Sequence, residues 1–296
     1  LFLFLGFSGR GGVQHDDTRY LGGNKSSSVV ATKLQGRPRT GINYDKANEF
    51  CANRGDWITM IDYLEYCAIQ ALCYIEYANF DNQAALNTNL TSDGFKQGGL
   101  GAGVTNLAWD RWTAFNGNNP IVQTYWTAEH NIGNGSTNGD HYELGNYNTD
   151  GSNLNTYPAV YRGILNFFGD IWTFIRDVVI VNHNANYNSV YLLKKGVNHA
   201  DITIDNIQDK CYFIGDQANS NNFITEFDFR FGPYFIPNKV GTNKKADYNW
   251  IRDNNGQDTD KAVRMLLLGG NANIGSKAGS GYFNSNWVRS DSYAGV

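Results

Sequence analysis

The chain has 296 residues, of which 41% are hydrophobic and only 18% charged, with a formal net charge of −4. That length suits one large domain or two modest ones, and the charge content falls below the ~25% usual for soluble domains. A slightly acidic chain with no Lys/Arg run excludes a nucleic-acid footprint, and no apolar run approaches the ~20 residues of a membrane-inserting helix.

The polarity comes instead from Asn, Gly, Ser, Thr and Tyr, a composition that suits extracellular surfaces binding through hydrogen bonds and ring contacts. The opening Leu1-Phe2-Leu3-Phe4-Leu5 reads as a strand, without the basic flank or cleavage site of a signal peptide. A start on that strand without Met reads as a fragment. Residues 1–40 form a strand and an arm for assembly with neighbouring subunits; a plain surface loop is the alternative. Residues 41–296 form the main domain.

The first helix is predicted after Asn43, a suitable N-cap, with Ala47, Phe50 and Cys51 at the spacing of a buried face. The longest helix is predicted from Thr59 to Phe80. Its Ile61, Leu64, Ala68, Ala71, Leu72, Ile75 and Ala78 recur at intervals of three and four, so this stripe is expected in the core. Residues 94–155 are crowded with Gly and Asn and read as a long loop insertion. The run Gly98-Gly99-Leu100-Gly101-Ala102-Gly103 lacks the Lys-Ser/Thr of a phosphate loop. Short strands are expected at Ile171–Ile175, Val178–Val181 and Val190–Leu193, then an aromatic-rich stretch over 223–236. A last apolar strand, Val263–Leu268, leads into Gly269-Gly270.

Chemistry-bearing groups are scattered. Cys51, Cys67, Cys73 and Cys211 have no zinc-ligand spacing and read as buried, reduced core residues, with one disulfide as the alternative in an oxidising setting. His15-Asp16-Asp17 and Asp140-His141 are chance-level pairs. Asp201, Asp205 and Asp209 would align on a helix, but Ile202-Thr203-Ile204 reads as strand and makes them a solvated edge. No Ser/His/Asp or Cys/His set can be assigned by spacing.

Four stretches in order carry a resemblance: Ile42–Ala47 with Phe50-Cys51; Tyr63-Leu64-Glu65-Tyr66 with Glu76-Tyr77-Ala78; Tyr161–Trp172; and Val263–Gly270. Together they resemble the C-type-lectin-like branch shared by formylglycine-generating enzymes and the variable proteins of diversity-generating retroelements, found in bacteriophage tail and receptor-binding proteins. The resemblance covers roughly residues 40–296 and implies an α+β fold: two N-terminal helices, short twisted antiparallel strands and long Gly/Asn-rich loops. Asp170 stands where that family has Asn, and Asn271-Ala272 replace its Ser-Trp. The chain stops at Gly295-Val296, about where the family's closing strand would begin.

No cysteine follows Cys211, so the formylglycine-generating nucleophile is missing, and the calcium-bound sugar site of lectins lacks its carboxylate at Asn118-Asn119-Pro120 and Ile236-Pro237-Asn238. The resemblance therefore implies no enzyme activity, no cofactor and no metal. It implies a virion protein, of a phage tail or surface fibre, that binds a host cell-surface receptor, protein or glycan. Other virion subunits and a homo-oligomer, a trimer, are the expected partners. A decoration protein of the particle is the alternative reading, and an enzyme the remote one. In the retroelement proteins the segment after Gly-Gly is the displayed surface. The corresponding ligand-binding residues here are Asn271, Asn273, Tyr282, Asn284, Asn286, Trp287 and Tyr293. Their rings offer rigid contact area and their amides adaptable hydrogen bonds, as in antibody paratopes. Tyr282, Trp287 and Tyr293 are expected to be partly exposed and close together.

Overall fold

The computed structural model describes residues 42–53, 58–86, 90, 94, 160–162, 164–165, 167–169, 171–183, 187–242, 247–251 and 263–292. The expected arm over 1–40 and all of the 94–155 insertion but Gly94 lie outside these residues.

Among the described residues three helices precede the strands: α1 (Tyr44–Ala52), α2 (Tyr63–Tyr77) and the single turn α3 (Asn82–Leu86). Asn43 caps α1 by accepting a hydrogen bond from the Lys46 N–H at 2.9 Å. Asp62 and Glu65 form a capping box at the start of α2, and Ala78 ends it in the left-handed region.

A two-strand ladder, β1 (Val160–Tyr161) with β2 (Ile164–Leu165), is followed by the strands of one large sheet. These are β3 (Thr173–His183), β4 (Tyr187–Leu193), β5 (Cys211–Ala218), β6 (Asn222–Asp228), β7 (Ile236–Gly241), β8 (Tyr248–Trp250), β9 (Val263–Gly269) and β10 (Gly279–Asn284). Their order is β5-β4-β3-β9-β10-β8-β6-β7, antiparallel throughout except for the parallel β10–β8 pair.

The expected architecture is corrected here. The sheet curls until its edge strands β5 and β7 pack together, giving a nearly closed, barrel-like sheet with few helices. It is not an α+β domain of the C-type-lectin-like kind. A bulge in β5 at Gly215, where φ is +153°, lets the edges meet. A Cβ there would meet the terminal methyl of Ile236 in β7 at 2.8 Å, and the positive φ adds strain for any residue but glycine.

The core fills the inside of the curl. Tyr63, Tyr66, Cys67 and Cys73 of α2 pack in one cluster with Ile175, Val178, Val190, Ile214, Ile236, Leu266 and Phe283 from six strands. On the other face of the β3–β4–β5 edge, Val179, Val181, Tyr191 and Cys211 lie under Ile202 and Ile207, from the segment of helical turns His199–Asp201, Ile204–Asn206 and Ile207–Lys210, in which Ile202 links the first two. Those turns correct the strand expected at Ile202–Ile204. All four cysteines are buried and unbridged.

The buried face of α2 is a second correction. Leu64 is 49% exposed, Leu72 58% and Ile75 77%, whereas Tyr66 is 1% exposed. Aliphatic residues win over tyrosines on simple hydropathy, but a buried phenol is stable when its hydroxyl finds a partner. Tyr63 donates to the Phe235 carbonyl at 2.9 Å and Tyr66 to the Ser280 carbonyl at 2.8 Å. Gln70 donates to the Tyr74 hydroxyl at 2.6 Å. The polar groups of this face are matched to the strands, and the aliphatic stripe turns outward.

Candidate functional site

The segment after Gly269-Gly270 lies largely inside the protein. Both glycines have positive φ, +90° and +78°, which turns the chain sharply off β9. Of the sequence-predicted residues, Asn271, Tyr282 and Asn284 are buried, Asn286 and Trp287 are half-buried, and Asn273 is exposed. Tyr293 lies outside the described residues.

The expectation of an exposed Tyr282 is corrected, because the ring is fully enclosed. It meets Trp172 edge-on at 4.8 Å and lies against Tyr248 and Trp250. The flanking backbone is tied down as well. The Gly281 N–H donates to Asp247 Oδ2 at 2.6 Å, and Ser285 Oγ donates to Gln217 Oε1 at 2.8 Å. The Asn286 carbonyl accepts from the buried Arg264 at 2.6 Å, and the Trp287 carbonyl accepts from the Met265 N–H at 3.0 Å. Asn284 Oδ1 is spent on the Asn286 N–H at 2.9 Å. These groups serve the fold.

A cleft of about 670 Å³ opens elsewhere, over the middle of β3. The β3–β9 register slips between Phe174 and Val179: Phe174 pairs with Leu267, yet Val179 pairs with Met265. Four residues of β3, Ile175 to Val178, thus stand opposite the single Leu266 of β9, and the resulting bulge carries Arg176 and Asp177 at the cleft. Bulges re-aim side chains in this way and are common beside functional sites.

The backbone N–H and carbonyl of Arg176, freed by the bulge, are both met from the α1–α2 region, and the Asp177 side chain takes a helix N–H. The Arg176 N–H donates to the Ile61 carbonyl at 3.0 Å, the Tyr44 hydroxyl donates to the Arg176 carbonyl, and the Tyr63 N–H donates to Asp177 Oδ1 at 2.8 Å. Asp62, at the start of α2, accepts from Arg176 Nε at 2.5 Å and from Nη2 at 2.6 Å, a two-pronged pair. Asn48 of α1 and the loop Leu193–His199 complete the walls. Lys195 and Asn198 stand exposed at the mouth.

Two titratable groups here are displaced from their ordinary ranges. Burial pushes the Asp177 carboxyl up to about 6; the Tyr63 N–H pulls it back and the Asp62 charge pushes it further up. Burial also holds the His199 imidazole neutral, down to about 4. Its ring packs on Tyr44 with centroids 4.7 Å apart, and its buried Nε2 has no hydrogen-bond partner among the described residues. The cleft therefore presents carboxylate, guanidinium, ammonium and amide groups side by side. That set recognises polar ligands through paired donors and acceptors.

None of these cleft residues follows from motif spacing. The one available signal is Arg176-Asp177 itself, two adjacent charges breaking the apolar run from Ile171 to Val181. His15-Asp16-Asp17 and Asp140-His141 lie outside the described residues. Among the described residues no three His, Cys, Asp or Glu side chains gather as a metal site requires. The sequence matches no protein-family model, and no curated protein matches it.

Proposed function

We propose that this protein is a non-enzymatic component of a phage particle, in its tail or a surface fibre, and that it grips a host cell-surface receptor at the β3 cleft. The observation that carries the reading is the bulge that sets Arg176 and Asp177 in an open, mixed-charge cleft with Asn48, Asp62, Lys195 and Asn198. Acceptors and donors stand together there, a set that suits the hydroxyls of a glycan, each of which both donates and accepts. The low charge content and the abundance of Asn, Gly and Tyr support the particle setting.

A binding role also suits the state of the titratable groups. Asp62 is held by Arg176, Asp177 takes the Tyr63 N–H, and the reactive edge of His199 is buried. A general base is instead expected within hydrogen-bond reach of a substrate proton.

The full chain should bind host cells saturably. Asn198→Trp, which places an indole in the cleft mouth, should abolish that binding with the melting temperature unchanged. A glycan array should then report which sugars compete. Undiminished binding by the filled cleft would contradict the proposal.

A further inference from the structure

The outward face of α2 carries Leu64, Ala68, Ala71, Leu72 and Ile75 over twelve residues, about 16 Å of helix at a rise of about 1.5 Å per residue. Leu64, Leu72 and Ile75 are about half exposed or more, and Glu65 and Glu76 flank the stripe on one side. Continuous apolar stripes are uncommon on free surfaces and mark interaction sites.

We propose that two copies of the chain pair through this face, their α2 helices antiparallel about a two-fold axis. Two features of the stripe select a second copy as occupant, and both are self-complementary. The first is shape. In antiparallel register Leu72 of one copy lies over Ala68 of the other, a large residue on a small one, and Leu64 lies beside Ile75, which extends the apolar contact to both ends of the stripe. A two-fold contact demands this reciprocity, residue i on j and j on i.

The second is charge. Arg162 binds Glu76 through Nε at 3.1 Å and Nη2 at 2.8 Å, and its side chain remains 55% exposed. A two-fold axis crossing the helices brings the partner's Glu65 to the same flank as Arg162. The cation then lies between two carboxylates instead of beside one. A parallel pairing puts the glutamate flanks on opposite sides and loses this. The three-fold symmetry expected from the resemblance would set the α2 helices parallel and loses this charge match in the same way.

A single stripe of this length covers less than the ~800 Å² per partner of a standard interface, so weak pairing, of about micromolar strength, is expected. The inference does not depend on the proposed receptor role. Sedimentation of the full chain from about 1 to about 300 μM tests it directly. The mass should rise from 33.0 kDa toward twice that value, and Leu72→Glu should weaken association about tenfold or more with the melting temperature unchanged.

Geometry is tested by disulfide trapping, since the native cysteines are buried. A mixture of Leu64→Cys and Ile75→Cys proteins should cross-link between the variants, and neither protein should cross-link alone. A monomer over the whole range, a trimeric mass, or cross-linking of Leu64→Cys with itself would overturn the proposal.

Discussion

The C-terminal segment and the β3 cleft are built from the same residue types and end in opposite conditions. Over Tyr282–Asn286 the Tyr282 ring is enclosed by Trp172, Tyr248 and Trp250, and the chain around it is bonded to Arg264, Gln217 and Asp247. Over the cleft, Asn198 and Lys195 are exposed and Asn48 is half-buried, around the satisfied backbone groups of Arg176. A buried polar group is stable only when bonded, so a polar run threaded through a curled sheet acquires partners and ceases to be a surface. Composition marks a segment as capable of recognition, and strand register decides whether it is displayed.

The largest effect that can break this contrast is expected at Tyr282. Tyr282→Ala removes a fully enclosed ring from the Trp172 cluster and should cost about 3–5 kcal/mol in urea unfolding. A loss below about 1 kcal/mol would return the ring to the surface and undo the distinction.

The pH dependence of stability tests the cleft side, with two groups acting in opposite directions. The folded-state pKa of Asp177 is raised to about 6. Its buried charge weakens the fold above that pH, and stability is regained as pH falls from about 6 towards 4. That of His199 is depressed to about 4. The unfolded chain therefore takes up a proton first, and stability is lost as pH falls from about 6.5 towards 4.

The wild-type profile over that range is accordingly shallow. Asp177→Asn should raise stability at pH 7.5 by about 1–2 kcal/mol and then fall steeply on acidification. His199→Asn, whatever its absolute cost, should gain stability on acidification instead. Unchanged slopes in both variants would mean that neither group is buried as described.

The smallest effect is expected at Leu72. Leu72→Ala on the outward face of α2 should change stability by no more than about 0.5 kcal/mol, because the side chain is already 58% exposed. A cost of about 2–5 kcal/mol would be that of a core leucine.

How much of this was legible in the sequence depends on the kind of signal. Local chemistry was readable: Asn43 capping α1, the apolar strand at Val263–Leu268 and the Gly269-Gly270 turn are each set by a few adjacent residues. The bulge was half readable. Ile171–Ile175 and Val178–Val181 read as two strands but form one, with the charges between them absorbed by a register slip against β9, a strand about ninety residues later in the chain. The buried face of α2 was not readable, because Tyr66 and Tyr63 are core residues only by virtue of carbonyls at Ser280 and Phe235. The curl of the sheet depends on the meeting of β5 and β7 at Gly215, which leaves no periodic trace.

The central claim is that recognition belongs to the cleft and not to the C-terminal segment. Host-cell binding and melting temperature measured together on Lys195→Ala and Trp287→Ala test it most directly. Lys195, exposed at the mouth, should lose about tenfold or more in affinity with an unchanged melting temperature. Trp287, packed beside the Trp172 cluster, should lose about 2–4 kcal/mol of stability and bind in proportion to its folded fraction. A stable Trp287→Ala protein that no longer binds, beside a Lys195→Ala protein that binds normally, would contradict the account.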